Sequence, residues 1–164
     1  MKALVTYCSR TGNTEKLARA IYDALPCEKE LIPIADVKDA SGYGIIFVGF
    51  PVEAHSVPTE ALPLFKILPA GQPIALFCTH GALRGGPLPK QALEHAASLA
   101  SRVKVLGTFG VRGQVSPRII EILQRSAEHQ AWAEEAQSAC GHPDTADLTD
   151  ARAFALEMVA KIGH

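Results

Sequence analysis

The chain carries no excess of charge of either sign: 16 Lys and Arg stand against 17 Asp and Glu, a formal net charge of −1. Such a balance leaves no electrostatic footprint for nucleic acid or an anionic membrane surface. No apolar run is long enough to cross a bilayer, and the apolar stretch at the start is too short for an export signal. Membrane insertion is therefore not expected. Cys8, Cys27, Cys78 and Cys140 are scattered without a Cys-x-x-Cys pair, which reads as free thiols in a reducing, cytoplasmic compartment. The six histidines lack paired ligand spacing, so no metal site is expected. Neither Gly-x-x-x-x-Gly-Lys nor Gly-x-Gly-x-x-Gly is present, which argues against a Walker-type triphosphatase and a dinucleotide fingerprint.

What remains is a chain of 164 residues, 48% of them apolar, enough for one well-buried domain spanning 1–164. Strand-like apolar runs cover residues 1–7, 30–34, 44–50, 73–78 and 103–109. Between them lie helical patterns over 14–25, 59–68 and 89–101, then one long helix from Ser116-Pro117 towards Ser138. Gly141-His142-Pro143-Asp144 breaks that pattern before a last helix with Leu148, Ala151, Ala155, Met158 and Ile162 on one face. Strict alternation of this kind predicts an α/β fold, a doubly wound five-stranded parallel sheet with helices on both faces. Such sheets bind ligands beyond the carboxyl ends of their strands. The loops at 9–14, 50–58 and 79–88 should therefore share one rim.

The first of these loops is Ser9-Arg10-Thr11-Gly12-Asn13-Thr14. It joins a strand to a helix that places Leu17, Ala18, Ile21 and Leu25 on one face. A helix N-terminus leaves N–H groups unpaired and carries partial positive charge, which attracts an anion. Gly12 lets the backbone approach that anion, while Ser9, Thr11, Asn13 and Thr14 offer donors. No lysine or metal-binding acid is built in, so the loop suits a terminal phosphate monoester. The plainer reading is an ordinary N-cap.

In the second loop, Pro51 and Pro58 stiffen a wall containing Val52, Glu53, Ala54 and His55. Its N–H groups and the Glu53 carboxylate suit the edge of a polar heterocycle, and Val52 or His55 suits a ring face. The same prolines also serve simply to end a strand and begin a helix. The third loop runs Thr79-His80-Gly81-Ala82-Leu83-Arg84-Gly85-Gly86-Pro87-Leu88-Pro89. Its glycines permit close backbone approach to a flat ligand. His80 is a candidate to bond a ligand carbonyl or to tune the ligand's charge, although a lone histidine is more often structural, and Arg84 is a candidate partner contact. The segment Gly110-Val111-Arg112-Gly113-Gln114 either borders the same rim or merely turns the chain.

The Ser9-Arg10-Thr11-Gly12-Asn13-Thr14 segment resembles the phosphate loop of the flavodoxin family, Ser/Thr-x-Thr-Gly-x-Thr at the end of the first strand, at every defined position. Strand–helix order is similar over nearly the whole chain. The resemblance implies the strand order 2-1-3-4-5, and FMN with its phosphate in loop 9–14. It places the ring between Pro51, Val52, Glu53, Ala54 and His55 on one side and Thr79, His80, Gly81, Ala82, Gly85 and Gly86 on the other. The second loop departs from the family: it has neither the tryptophan common in flavodoxins nor the glycine whose peptide flips beside the reduced ring. The chain is also far less acidic than typical flavodoxins, so docking to a basic partner should be weaker.

The function implied is electron delivery by an FMN-binding protein to a partner redox enzyme, a reductase or an acceptor, with no side chain acting as a catalytic acid or base. Two other readings stand beside it. One is an FMN-dependent oxidoreductase acting by itself on a quinone or conjugated substrate. The other is a flavin-free interaction module on the same fold. Other doubly wound families lack their key residues. A phospho-receiver needs an aspartate where Phe50 ends the third strand, and a small tyrosine phosphatase needs an arginine where counting from Cys8 reaches Thr14.

Overall fold

The computed structural model describes residues 1–82 and 85–163. Five strands, β1 (Lys2–Tyr7), β2 (Glu28–Pro33), β3 (Ile45–Pro51), β4 (Pro73–His80) and β5 (Lys104–Arg112), form one sheet. All pairings are parallel, in the order β2-β1-β3-β4-β5. The expected doubly wound architecture and strand order are both present. In the register, Val5 lies opposite Leu31 on one side and Phe47 on the other.

Six helices complete the described chain: α1 (Asn13–Ala24), α2 (Leu62–Ile67), α3 (Pro87–Leu99), α4 (Pro117–Gln124), α5 (Gln130–Ser138) and α6 (Thr145–Ala160). On one face α1 and α6 cover Ala3, Val5, Phe47 and Phe77. On the other, α2 and α3 cover Leu4, Ile46, Val48, Ile74 and Leu76. This two-sided burial explains why β3 reads as an unbroken apolar run rather than an alternating one. The predicted stripe of α1 is the observed one, with Leu17, Ala18, Ile21 and Leu25 all buried. Phe154 of α6 stacks on Phe109 of β5, ring centroids 5.2 Å apart, and meets Phe47 edge-on. At the start of α6, Asp144 accepts from the Asp147 N–H while Asp147 accepts from the Asp144 N–H, a reciprocal cap.

One element differs from expectation. The single helix over 116–138 is two, α4 and α5, separated by a short 3₁₀ turn at Ala127–His129. Ser126 adopts an extended conformation at the break, after bonds from Arg125 and Ser126 N–H back to Ile122 and Leu123 carbonyls tighten the last turn. A straight helix of that length would run off the rim. Folding back lets α4 and α5 pack together and buries Ala133, Ala136 and Ala139. Tertiary burial outweighs uninterrupted helix propagation here, and neither glycine nor proline marks the break.

Gly49 is the tightest point of the core. A Cβ there would stand 2.1 Å from Cε2 of Phe77 on the neighbouring strand. Gly49→Ala should displace that buried ring and cost about 1–3 kcal/mol. Urea denaturation of the variant checks this, and a wild-type midpoint would contradict it.

Candidate cofactor site

Because the strands run parallel, the segments following β1, β3, β4 and β5 emerge at the same edge of the sheet. The first turns at Gly12, whose φ of 90° lies in the left-handed region that glycine adopts without strain. The Gly12 N–H donates to Ser9 Oγ at 3.1 Å, and its carbonyl accepts from the Lys16 N–H to begin α1. The first-turn N–H groups of α1 thus face the rim with no helical carbonyl to bond. Thr14 is buried, and its hydroxyl meets that of Thr79 at 2.8 Å, joining the loop to the end of β4.

The second loop is joined to β4 by a bond from the Val52 N–H to the Thr79 carbonyl at 2.9 Å. It then makes a tight reversal in which Glu53 and Ser56 exchange backbone bonds. Ala54 and His55 occupy its centre with φ of 44° and 64°, a left-handed conformation that costs non-glycine residues. Arg10 clasps this loop to the first: its Nε donates to Glu53 Oε1 at 2.6 Å and its Nη1 lies 2.8 Å from Glu60 Oε1. The guanidinium is thus occupied by two carboxylates, and the Glu53 carboxylate, expected at a heterocycle edge, is occupied by the guanidinium. As an exposed network, the clasp aligns loops more than it stabilises the fold.

In the third loop His80 is buried, and its Nδ1–H donates to the Ala82 carbonyl at 3.1 Å, which fixes the tautomer. Its ring extends over β5, where a Cβ on Gly110 would lie 3.6 Å from Nε2. Arg84, expected as a partner contact, lies outside the described residues.

The segment after β5, left open by the sequence, is a fourth wall. The Gly113 N–H donates to the His80 carbonyl at 2.8 Å, and Asn13 Nδ2 donates to the Gln114 carbonyl at 3.0 Å. Close approach requires Gly113, since a Cβ there would stand 2.8 Å from Asn13 Nδ2. Val115 in turn packs on Gly81, where a Cβ would come within 2.5 Å of Val115 Cγ2.

The four segments enclose a cleft with two adjoining lobes. The larger, about 290 Å³, brings together Ser9, Arg10, Thr11, Asn13, Thr14, Pro51, Val52, Glu53, Thr79, His80 and Gly81 with 113–116 and Ile119. The smaller, about 220 Å³, shares Val52, His80, Gly81, Val115 and Ile119 with it and adds Ala54, His55, Ala82, Leu123 and Trp132. Gly85 and Gly86, expected against the same ligand, are not brought there. They line a separate groove between α3 and β5, because Gly86 caps α3 and Pro87 opens it. Sequence reasoning missed Val115, Ile119, Leu123 and Trp132. Val115 directly follows the 110–114 segment, whereas Ile119, Leu123 and Trp132 fall within the stretch that reads as one long helix, far in sequence from the first three loops.

Cys8 closes β1 beneath the first loop, half-buried. Burial pushes its thiol up to about 12, the nearby Glu60 carboxylate adds to this, and Arg10 opposes it. At neutral pH it is a protonated strand-end residue and not a nucleophile.

The fold and rim define a doubly wound α/β protein with a cleft at the carboxyl edge, in front of the first helix. Residues 4–156 match the family model of the flavodoxin domain, and the chain belongs to that family. It is 30% identical to the flavodoxin-like domain-containing protein BilS of Clostridioides difficile (strain CD3), with 98% of each chain covered. Its fold is similar to that of oxidised flavodoxin 2 from Bacillus cereus, with a TM-score of 0.67 at 19% identity over 98% of this chain and 99% of that one. It is also similar to a flavoprotein in complex with FMN from Lactobacillus acidophilus NCFM, with a TM-score of 0.55 at 21% identity over 66% of this chain and 92% of that one. Among the described residues no helix is long and apolar enough to cross a membrane.

Thr14→Ala should cost about 1–2 kcal/mol, since it strands the buried Thr79 hydroxyl, whereas Thr11→Ala at an exposed position should leave stability unchanged. Urea midpoints of the two variants decide it; equal midpoints would refute the buried bond. Iodoacetamide at pH 8 should label the exposed Cys140 first and spare Cys8 and Cys78, both held at about 12 by burial. Mass spectrometry showing Cys8 labelled as fast as Cys140 would contradict its protonated state.

Proposed function

We propose that the chain is an FMN-binding, flavodoxin-like electron-transfer protein that delivers electrons to a partner redox enzyme. The observation that carries this reading is the polarity gradient of the cleft. At one end stand the hydroxyls of Ser9 and Thr11 and the N-terminus of α1; Val52 and Ile119 border both lobes, and Ala54, Ala82 and Leu123 line the other end. FMN has the same gradient, a dianionic phosphate joined through a polyol to a flat apolar ring. Family membership, and the FMN complex named for one structural neighbour, support the same reading.

The residues present fit that group. Gly12 has the left-handed backbone that turns loop N–H groups towards an anion, and even a Cβ there would meet no atom within 4 Å. Thr11, Ser9 and the first-turn N–H groups would hold the phosphate, with the helix dipole in place of a paired cation, since Arg10 is occupied by Glu53 and Glu60. Asn13 uses its side chain to brace the fourth wall through Gln114, so its backbone is the part left for the anion. Pro51, Val52 and the Gly81-Ala82 backbone would border the ring, whose bound form supplies reversible electron storage. The protein's share is exclusion of water and fixed placement of the ring near the surface. With a net charge of −1, long-range steering to a charged partner is weak, so apolar contact at the rim would set the encounter.

Titration of the purified apoprotein with FMN and with riboflavin tests the phosphate assignment. Riboflavin should bind at least about a hundredfold more weakly, because it forgoes several charge-assisted bonds. Thr11→Ala should weaken FMN by about tenfold and leave riboflavin unchanged. Equal affinities for the two ligands would overturn the assignment of loop 9–14. For delivery to a partner, the FMN-loaded protein should be reduced only slowly by NADPH alone; rapid reduction would move the reading to a self-sufficient oxidoreductase.

A further inference from the structure

The smaller lobe has one wall that the phosphate-loop reading does not account for. It is built by α4 and α5, which follow β5 and contribute Ile119, Leu123, Trp132 and Ala136 opposite Val52, Ala54 and His55. This wall is anchored. Arg112 at the end of β5 donates from Nε to the Ala82 carbonyl at 3.1 Å, from Nη1 to the Ser138 carbonyl at 3.1 Å and from Nη2 to the Glu135 carbonyl at 2.8 Å. One guanidinium therefore holds the third loop and the C-terminal carbonyls of α5 together, where a cation also meets the negative end of the helix. Yet α4 buries no residue, and Ile119, which lines both lobes, remains 51% exposed. Its apolar side is presented to the cleft rather than spent on the core.

Trp132 is the only tryptophan of the chain. Its indole stacks on His129, ring centroids 5.0 Å apart at 11°, and meets His55 edge-on at 6.5 Å and 75°. His129 comes from the turn before α5 and His55 from the left-handed reversal of the second loop, so the indole is oriented from two sides. Even so, it is 47% exposed, and it lines the lobe. The second loop itself supplies no aromatic residue but His55 between Pro51 and Pro58.

We propose that α4 and α5 form the outer wall of the ring compartment, and that Trp132 is the side chain that covers the flavin ring. This rests on the flavin reading above. Phosphate recognition then comes from the loop after β1, and ring recognition largely from a segment more than a hundred residues later. Because Trp132 acts on the ring and not on the phosphate, its contribution to binding is the same for FMN and riboflavin.

The test uses the full chain with Trp132→Ala and Trp132→Phe, and two readouts: affinity for each flavin and fluorescence of the bound flavin. Trp132→Ala should weaken FMN and riboflavin by the same factor, about tenfold. Trp132→Phe should keep most of the affinity but raise the emission of the bound flavin, because an indole in contact donates an electron to the excited ring and a phenyl group does not. The phenylalanine variant also guards against a folding defect, which far-UV circular dichroism monitors in both. If Trp132→Ala leaves both affinities unchanged, or Trp132→Phe leaves bound-flavin emission at the wild-type level, the proposal fails while the flavin reading stands. Wild-type protein that takes up neither flavin overturns both.

Discussion

Every strand in this sheet points the same way, and the architecture of the rim depends on that constraint. Parallel pairing in the order β2-β1-β3-β4-β5 sends the exits of β1, β3, β4 and β5 to one edge. The order reverses between β1 and β3, so the N-terminus of α1 faces a crevice and not a neighbouring loop. An antiparallel partner anywhere among these strands would carry one wall of the cleft to the far side. The apolar runs of β3 and β4, buried on both faces, provide the rigidity on which the four loops are aimed.

The walls are then joined by specific bonds. Thr14 and Thr79 share a buried hydroxyl bond, Asn13 reaches Gln114, Arg10 reaches Glu53, and Arg112 spans Ala82 and the end of α5. None of these is strong alone, and the Arg10 clasp is exposed. Their value lies in preorganisation, since a ligand entering loops already tied to each other has less ordering to bring about. The left-handed pair Ala54 and His55 belongs to the same design: a costly reversal brings His55 to Trp132.

Local sequence carried much of this. The stripe of α1, the unbroken run of β3 and the Ser9-Arg10-Thr11-Gly12-Asn13-Thr14 turn are each readable from neighbouring residues, because burial and backbone geometry there repeat at short period. What was not legible depends on contacts between distant residues. Nothing near Gln114 announces that its carbonyl meets Asn13, and nothing in Arg112 reveals that it bonds Ala82 and Glu135. The region 116–138 reads as one helix because the break at Ser126 is imposed by packing, and that error hid Ile119, Leu123 and Trp132 from the site. Gly85 and Gly86 line the α3–β5 groove for the complementary reason: Gly86 is already the cap of α3.

The most direct measurement is a backbone amide NMR titration of ¹⁵N-labelled protein with FMN. One ligand is expected to occupy the cleft formed by all four segments. The largest shifts should then fall together on residues 11–14, 52–55, 79–82 and 113–116, with the α3–β5 groove at Leu93 and Thr108 scarcely affected. Shifts confined to that groove, or to the first loop without the segment after β5, would contradict binding in the four-walled cleft.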